Sequence, residues 1–126
     1  MKLTLYPTLE ETLELHKRLI DRFGGQAGVR DLGLLHSAIS RPQTGYYETL
    51  SLQAAALLQS LTLNHAFIDG NKRVAFALTA IFLRMNGYRL VVEPDNGESF
   101  LIEKVIKAKA DIKTIARWIE SHIKKA

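Results

Sequence analysis

Chemically versatile side chains are concentrated in one segment of the chain, HAFIDGNKR, which runs from His65 to Arg73. The segment carries an imidazole, a carboxylate, a glycine, an amide and two cations. An almost wholly apolar run from Val74 to Met85 follows it. This order is typical of a polar loop mounted on the first turn of a buried helix. The start of such a helix has unpaired N–H groups and a partial positive charge, so it can seat a phosphate.

His65 can accept a proton near neutral pH, which makes it the candidate general base. A single histidine is more often structural, and we assign that role to the other three. His16 and His36 lie in predicted helices without an acidic constellation, and His122 lies near the end of the chain. Phe67 is expected to point inward and anchor the loop, so that the polar residues around it keep a fixed geometry.

Asp69 supplies hard oxygen ligands, which suit a Mg²⁺ ion that is also held by substrate phosphates. A zinc site is a poor alternative, because His65 and Asp69 lack an obvious third ligand. The structural alternative is that Asp69 only caps the helix that follows.

Gly70 removes a Cβ where a phosphate would approach the backbone, and the N–H groups of Gly70, Asn71 and Lys72 are expected to face that anion. Lys72 adds a compact charge and Arg73 a planar fork suited to phosphate oxygens. Generic surface charge is the alternative for these two cations. Both would lie in the first helical turn, however, where the helix dipole disfavours cations, so an anionic ligand is expected. Together these residues fit the transfer of a group from a nucleotide to a hydroxyl.

The chain before the loop is predicted to form one weak strand and two helices. Residues 2–6 alternate weakly, as in a short edge strand. Thr8 fits a helix N-cap, with Glu11 completing a capping box, for a helix that ends near Phe23.

A second short helix is expected over residues 31–40, with Asp31 as its cap. Residues 41–50 are predicted to form a surface loop or small hairpin. This segment is either a flap that clamps an extended target peptide or an inert connection.

Four further helices are predicted around and after the loop. They cover residues 51–64, 70–86, 97–108 and a last stretch from 111 to about 123, with caps at Ser51, at Asp95 or Asn96, and at Asp111. Residues 88–92 are β-prone but short. Because the helix after the loop is apolar on all sides, it should be enclosed by the others. The expected fold is all-α, a compact bundle of about six helices around this central apolar helix.

The composition is that of an ordinary globular protein, with 47% hydrophobic and 24% charged residues. At 126 residues we expect one domain, 1–126. The absence of cysteine excludes disulfides and thiolate metal sites. No apolar stretch has the length of a signal peptide or a membrane span, so a cytoplasmic protein without membrane contact is expected.

The formal charge of +4 comes largely from lysines near the C-terminal end. These lysines could form a nucleic-acid patch. Acidic residues lie between them, at Glu103, Asp111 and Glu120, which favours solvated helix faces instead. Direct nucleic-acid binding is therefore not expected.

The segment HAFIDGNKR resembles the signature of the Fic/Doc superfamily, H-x-F-x-[D/E/N]-[A/G]-N-x-R. An apolar helix before it, a second one ending near RMNG, and an N-terminal helix leading to FGG match the family pattern. The short length and Lys72 look like the Doc (death-on-curing) branch, the toxins of type II toxin–antitoxin modules. In the adenylylating Fic branch, glycine typically replaces Lys72 and proline replaces Ala66.

The resemblance implies a protein kinase that uses ATP and Mg²⁺ to phosphorylate a threonine of elongation factor Tu, which blocks translation. By position, His65 would be the general base on the target hydroxyl and Asp69 would orient Mg²⁺ or the base. Asn71, Lys72 and Arg73 would hold phosphates. Three alternatives stay open: a Fic-type adenylyltransferase, a non-catalytic binding module, and a basic RNA-directed toxin.

The resemblance also implies a protein partner. Many Fic proteins carry an inhibitory segment [S/T]-x-x-x-E-[G/N], and the nearest match in this chain, residues 99–104, ends in lysine. Inhibition is therefore expected from another chain, a Phd-like antitoxin whose C-terminal segment binds a groove on the toxin.

Overall fold

The computed structural model describes residues 3–126, which form six α-helices and a two-stranded antiparallel sheet. The α-helices are α1 (Leu9–Phe23), α2 (Leu32–Ser40), α3 (Leu50–Leu63), α4 (Asn71–Met85), α5 (Pro94–Phe100) and α6 (Ile112–Glu120). The strands are β1 (Tyr88–Leu90) and β2 (Ile123–Lys125), and Tyr88 pairs with Lys125. This architecture confirms the predicted all-α fold. No helix among residues 3–126 is both long and apolar enough to cross a membrane.

The core is centred on α3 and α4, which join at the polar loop, and includes buried residues of α2 and α6. α3 contacts α2, α4 and α6, whereas α4 contacts α1, α3 and β1. Leu57 and Leu58 of α3 and Leu78 and Phe82 of α4 are each no more than 1% exposed. Because both flanking helices are fixed in this core, the loop between them is held at two rigid ends.

Three of the predicted helix starts are confirmed at the level of hydrogen bonds. Thr8 accepts a hydrogen bond from the Glu11 N–H, and the Glu11 side chain accepts one from the Thr8 N–H, which completes the capping box. Asp31 caps α2 and Asp111 caps α6 in the same way, each accepting from the backbone three residues on. Local side-chain chemistry fixes these starts, so a sequence pattern could find them.

The edge strand predicted over residues 2–6 is wrong for its described part, and Lys2 lies outside the described residues. Residues 3–7 run without strand pairing. Leu5 is bound instead by the Asn86 side chain, which accepts from the Leu5 N–H and donates to its carbonyl, both at 2.9 Å. A side chain at the end of α4 thus takes the place of a partner strand.

Residues 41–50 form no hairpin. A single turn of 3-10 helix, Arg41–Gln43, follows α2 directly and contains Pro42. The Arg41 guanidinium donates to the Tyr47 hydroxyl at 2.7 Å and to Gln59 and Ser60 of α3. These bonds tie the connection to α3, while Tyr46 remains 81% exposed.

Three later boundaries also differ from prediction. Thr49, not Ser51, caps α3, because the Ser51 hydroxyl donates to the Glu120 carboxylate at 2.7 Å and so links α3 to α6. α5 begins at Pro94 with no side-chain cap at all, which corrects the expected caps at Asp95 or Asn96. It continues directly into a π-helical stretch, Leu101–Lys107. Ile123, predicted as the last helical residue, lies in β2 opposite Leu90.

Candidate active site

The loop between α3 and α4 is built on a buried aromatic pair. Phe67 is 2% exposed, and its ring stacks on the His16 imidazole of α1 with the ring centroids 3.9 Å apart. The His16 Nε2 lies 2.8 Å from the Asp69 carbonyl oxygen. Since a backbone carbonyl only accepts, Nε2 is the protonated nitrogen that donates to it. His16 therefore holds the middle of the loop through its ring contact with Phe67 and its hydrogen bond to Asp69.

Asn71 closes the loop on itself. Its Oδ1 accepts from the Phe67 N–H at 3.0 Å, and its Nδ2 donates to the Phe67 carbonyl at 2.9 Å. Both side-chain polar groups are thus committed to the loop. Only the backbone N–H of Asn71 is left for an anionic ligand.

His65 stands at the start of the loop, just after the end of α3. Its side chain is exposed, and its backbone has a φ of 50°, in the left-handed region. Its carbonyl oxygen accepts a hydrogen bond from Arg30 Nε at 2.6 Å. The imidazole therefore faces solvent, where a macromolecular hydroxyl could reach it.

Asp69 is exposed, and both of its carboxylate oxygens accept backbone hydrogen bonds. Oδ2 accepts from the Gln26 N–H at 3.0 Å and Oδ1 from the Gly70 N–H at 2.8 Å. The bond from Gln26, followed by the one from Gly70, lowers the pKa of Asp69 below 3.8, and the Arg73 charge adds to this. The carboxylate is consequently ionised at neutral pH and can still offer lone pairs to a cation.

Gly70 is the N-cap residue of α4, with a left-handed φ of 79° and no side-chain cap. Its own N–H is taken by Asp69, which leaves two of the three predicted donors, Asn71 and Lys72, together with Arg73. Those three N–H groups have no carbonyl partner within the helix. The first turn of α4 holds two cations and no acidic residue, so this helix start carries more positive than negative charge even with the Asp69 carboxylate counted.

A cleft of about 640 Å³ opens onto this helix start. Its polar end comprises Asp69, Gly70, Asn71, Lys72 and Arg73. Its remaining walls are mostly apolar, from Phe23, Phe76, Ala77, Val92, Pro94 and Leu101, with Glu98 as the exception. Five of the predicted site residues are thus brought together, whereas His65 does not line the cleft. A ligand that reaches from the cleft to His65 must extend over the start of α4.

The family of the chain follows from its similarity to known proteins. The model of the Fic/DOC family matches residues 6–83. The chain belongs to this family. A protein of Mycolicibacterium smegmatis named Toxin Doc is 46% identical over 100 residues, which cover 75% of this chain and 77% of that protein. The Protein kinase doc of Escherichia phage P1 is 36% identical over 90 residues, covering 68% and 71%. Both relatives support the Doc branch of the Fic/Doc superfamily.

The sequence did not reveal that another segment of the chain holds this Fic/Doc loop. Residues 25–31, which we call the supporting segment, run alongside it between α1 and α2. Ile68 N–H donates to the Gly28 carbonyl at 3.1 Å, and Val29 forms an isolated antiparallel bridge with Phe67. The N–H groups of Arg30 and Asp31 both donate to the Ala66 carbonyl.

A glycine in the supporting segment makes room for Asp69. A Cβ on Gly25 would lie 2.7 Å from Asp69 Oδ2, and Gly25 also has a φ of 112°. The pair Gly24-Gly25 thus does more than stop α1, since it lets the backbone approach the carboxylate. The only sequence signal was the doubled glycine, because the contacts join residues more than forty positions apart.

Proposed function

We propose that this Fic/Doc chain is a toxin of a type II toxin–antitoxin module that acts as an ATP-dependent protein kinase. The proposed reaction transfers the γ-phosphate of ATP to a threonine hydroxyl of elongation factor Tu and thereby blocks translation. The proposal rests on the polar end of the cleft. Asp69, Lys72 and Arg73 lie there at the start of α4, which has no side-chain cap. The name of the phage P1 relative, a protein kinase, supports the same reaction class.

His65 would act as the general base in this reaction. It would take the proton of the target hydroxyl while that oxygen bonds to the γ-phosphorus. The bond from the γ-phosphorus to the bridging oxygen breaks, and ADP leaves. Such a transfer needs mainly positioning and charge neutralisation, which the exposed imidazole and the two cations supply.

Asp69 would hold Mg²⁺ together with the phosphates of ATP. Among residues 3–126, no group of three or more His, Cys, Asp or Glu side chains could hold a metal ion. A single ionised carboxylate in the cleft wall fits an ion whose other ligands are phosphate oxygens and water. When bound, the ion would neutralise charge on the phosphates that Lys72, Arg73 and the helix start also face.

The protein partner proposed for this toxin is a Phd-like antitoxin whose C-terminal segment binds an apolar groove. Large apolar side chains are exposed on several elements, and an amphipathic segment that covered some of them would bury apolar surface. They include Leu3, Leu5, Phe23, Leu32, Ile81 and Val91. Co-expression of a small protein encoded next to this chain should restore growth, and growth arrest that persists with every such neighbour would contradict this partner.

The reaction is tested by incubating the purified protein with ATP, Mg²⁺ and elongation factor Tu, and then measuring the intact mass of the target. A phosphate increment supports the kinase. An AMP increment would instead assign an adenylyltransferase with the same loop. An unchanged mass would remove elongation factor Tu as the substrate.

The His65→Ala variant tests the role of the base. Losing a positioned general base typically costs about 10²–10⁴ in rate. The variant should fold like the parent, because the side chain is exposed, yet cause no growth arrest. If His65→Ala and Asp69→Ala both stayed fully toxic, the chain would act as a binding module or by salt-sensitive RNA binding.

A further inference from the structure

Arg30 makes the closest side-chain contact with the backbone around His65. Its Nε donates to the His65 carbonyl at 2.6 Å, and its Nη2 donates to the Asn64 carbonyl at 3.1 Å. One planar guanidinium therefore spans two successive peptide groups. The Arg30 backbone N–H, which donates to the Ala66 carbonyl at 2.8 Å, extends the contact to a third.

The backbone of His65 needs such support. Its φ of 50° places a residue with a Cβ in the left-handed region, which is disfavoured for residues other than glycine, although histidine adopts it more often than most. A conformation of this kind persists only when surrounding contacts impose it, and it is frequent at functional sites. The conformation sets the direction in which the imidazole leaves the loop.

We propose that Arg30 is a positioning residue for His65. By binding the carbonyl oxygens of Asn64 and His65, the guanidinium holds the His65 backbone in its left-handed conformation and so aims the imidazole at the target hydroxyl. This inference rests on the proposed function, in which His65 is the base. Arg30 itself touches neither ATP nor the reacting atoms.

A simpler role for Arg30 is to stabilise the end of α3. Asn64 is the C-cap residue of that helix, and a cation near the last carbonyls is favourable there. Such a role predicts a less stable protein with an unchanged turnover per folded molecule. The positioning role predicts a loss of kcat in molecules that are fully folded.

The experiment compares Arg30→Ala and Arg30→Lys with the parent, using ATP and the protein target at a temperature where thermal unfolding shows every variant folded. Misplacing a reacting group typically costs up to about 10²-fold, so Arg30→Ala should lose roughly 10- to 10²-fold in kcat. The KM for ATP should not change, because Arg30 does not line the cleft. Arg30→Lys should recover part of kcat, since an ammonium can bind one carbonyl but cannot span both. Arg18→Ala is the matched control, because Arg18 is exposed on α1 and, among residues 3–126, forms its ion pair with Glu14.

A double variant separates the inference from the function on which it rests. Arg30→Ala should slow His65→Ala no further, since a residue that acts through the imidazole has no effect once the imidazole is gone. A further loss in the double variant, a raised KM for the target at unchanged kcat, or an unchanged kcat in Arg30→Ala would each overturn the positioning role. If His65→Ala itself kept full kcat, the proposed function would fail first.

A second readout does not depend on the target protein. The imidazole proton signals of the four histidines can be followed by NMR, with the His65 signal identified by its loss in His65→Ala. Arg30→Ala should shift and broaden the His65 signal while leaving that of His36 in place. An unmoved His65 signal would also overturn the inference.

Discussion

At the scale of single residues, the loop divides its side chains between holding the loop and facing solvent. The side chains of Phe67, Asn71 and His16 are engaged in contacts within the protein. Lys72 and Arg73 are exposed at the start of α4, and His65 is exposed at the other end of the loop. Substitutions of the first group should therefore act on folding, and substitutions of the second group on chemistry.

Lys72 is the residue that should decide which bond of the nucleotide is broken. The Lys72 ammonium occupies space, and carries a positive charge, where glycine would leave room for the α- and β-phosphates. Lys72→Gly is therefore expected to abolish phosphate transfer and to allow some AMP transfer. The intact mass of the target distinguishes the two products. Lys113→Gly is the control, because Lys113 occupies the same second position of α6, so both changes carry the cost of glycine in a helix, about 1 kcal/mol. Retained kinase activity in Lys72→Gly would remove this role.

Asp69 should make the stability of the protein depend on acid pH. Its pKa in the folded state lies below 3.8, chiefly because Gln26 and Gly70 donate hydrogen bonds to the ionised carboxylate. The resulting stabilisation is present above the unfolded pKa and is lost as the pH falls through the folded one. Asp69→Asn should therefore be less stable than the parent at pH 7, and the difference should shrink as the pH drops below 3.8.

Urea unfolding midpoints measured across this pH range check the prediction for Asp69. Asp111 offers a comparison, because hydrogen bonds from Thr114 also lower its pKa, and asparagine can replace it as a helix cap. In the double variant Asp69→Asn/Asp111→Asn, the urea unfolding midpoint should change less with acid pH than in either single variant. If the difference between Asp69→Asn and the parent stayed constant with pH, the ionised Asp69 carboxylate could not be its source.

At the scale of elements, one wall of the cleft depends on the close approach of α5 to the Phe76 side chain of α4. Gly97 of α5 is buried, and a Cβ there would lie 2.5 Å from Cε2 and 2.8 Å from Cζ of the Phe76 ring. Phe76 in turn forms part of the cleft wall. One glycine thus sets how far this aromatic ring projects into the space proposed for ATP.

Gly97→Ala should push Phe76 towards the cleft or α5 away from it. Overpacking of this kind typically costs about 1–3 kcal/mol, and the narrowed cleft should raise the KM for ATP. Phe76→Leu in the same molecule should restore part of the affinity, because the shorter side chain makes room. Ser99→Ala, an exposed change in α5, is the control. Nucleotide affinity that is the same in Gly97→Ala and the parent would place ATP away from this wall.

Three helix starts and the loop itself could be predicted from sequence because their signals are local. Thr8 with Glu11, Asp31 and Asp111 each act within three residues of the helix that they cap. The support of the loop could not be predicted in the same way. His16 and Asp69 lie 53 positions apart, and Arg30 and His65 lie 35 apart. The pairing of β1 with β2 is likewise non-local, because Tyr88 and its partner Lys125 lie far apart in the chain.

At the scale of the whole molecule, the core and the site can be disturbed separately. Leu57 lies in α3 and is 1% exposed, so Leu57→Ala should lower the free energy of unfolding by about 2–5 kcal/mol. Because Leu57 does not line the cleft, kcat per folded molecule should stay the same. His65→Ala should show the reverse pattern, with unchanged unfolding and lost turnover.

Chemical denaturation and kinetics on the same preparations test this separation. Leu32→Ala is the control for Leu57→Ala, because Leu32 is 52% exposed and a surface change typically alters stability by no more than about 0.5 kcal/mol. A fully folded Leu57→Ala protein with much reduced kcat would mean that the geometry of the loop depends on the packing of α3 over its whole length. The core would then position the site directly, and the supporting segment alone would not be enough to fix the loop.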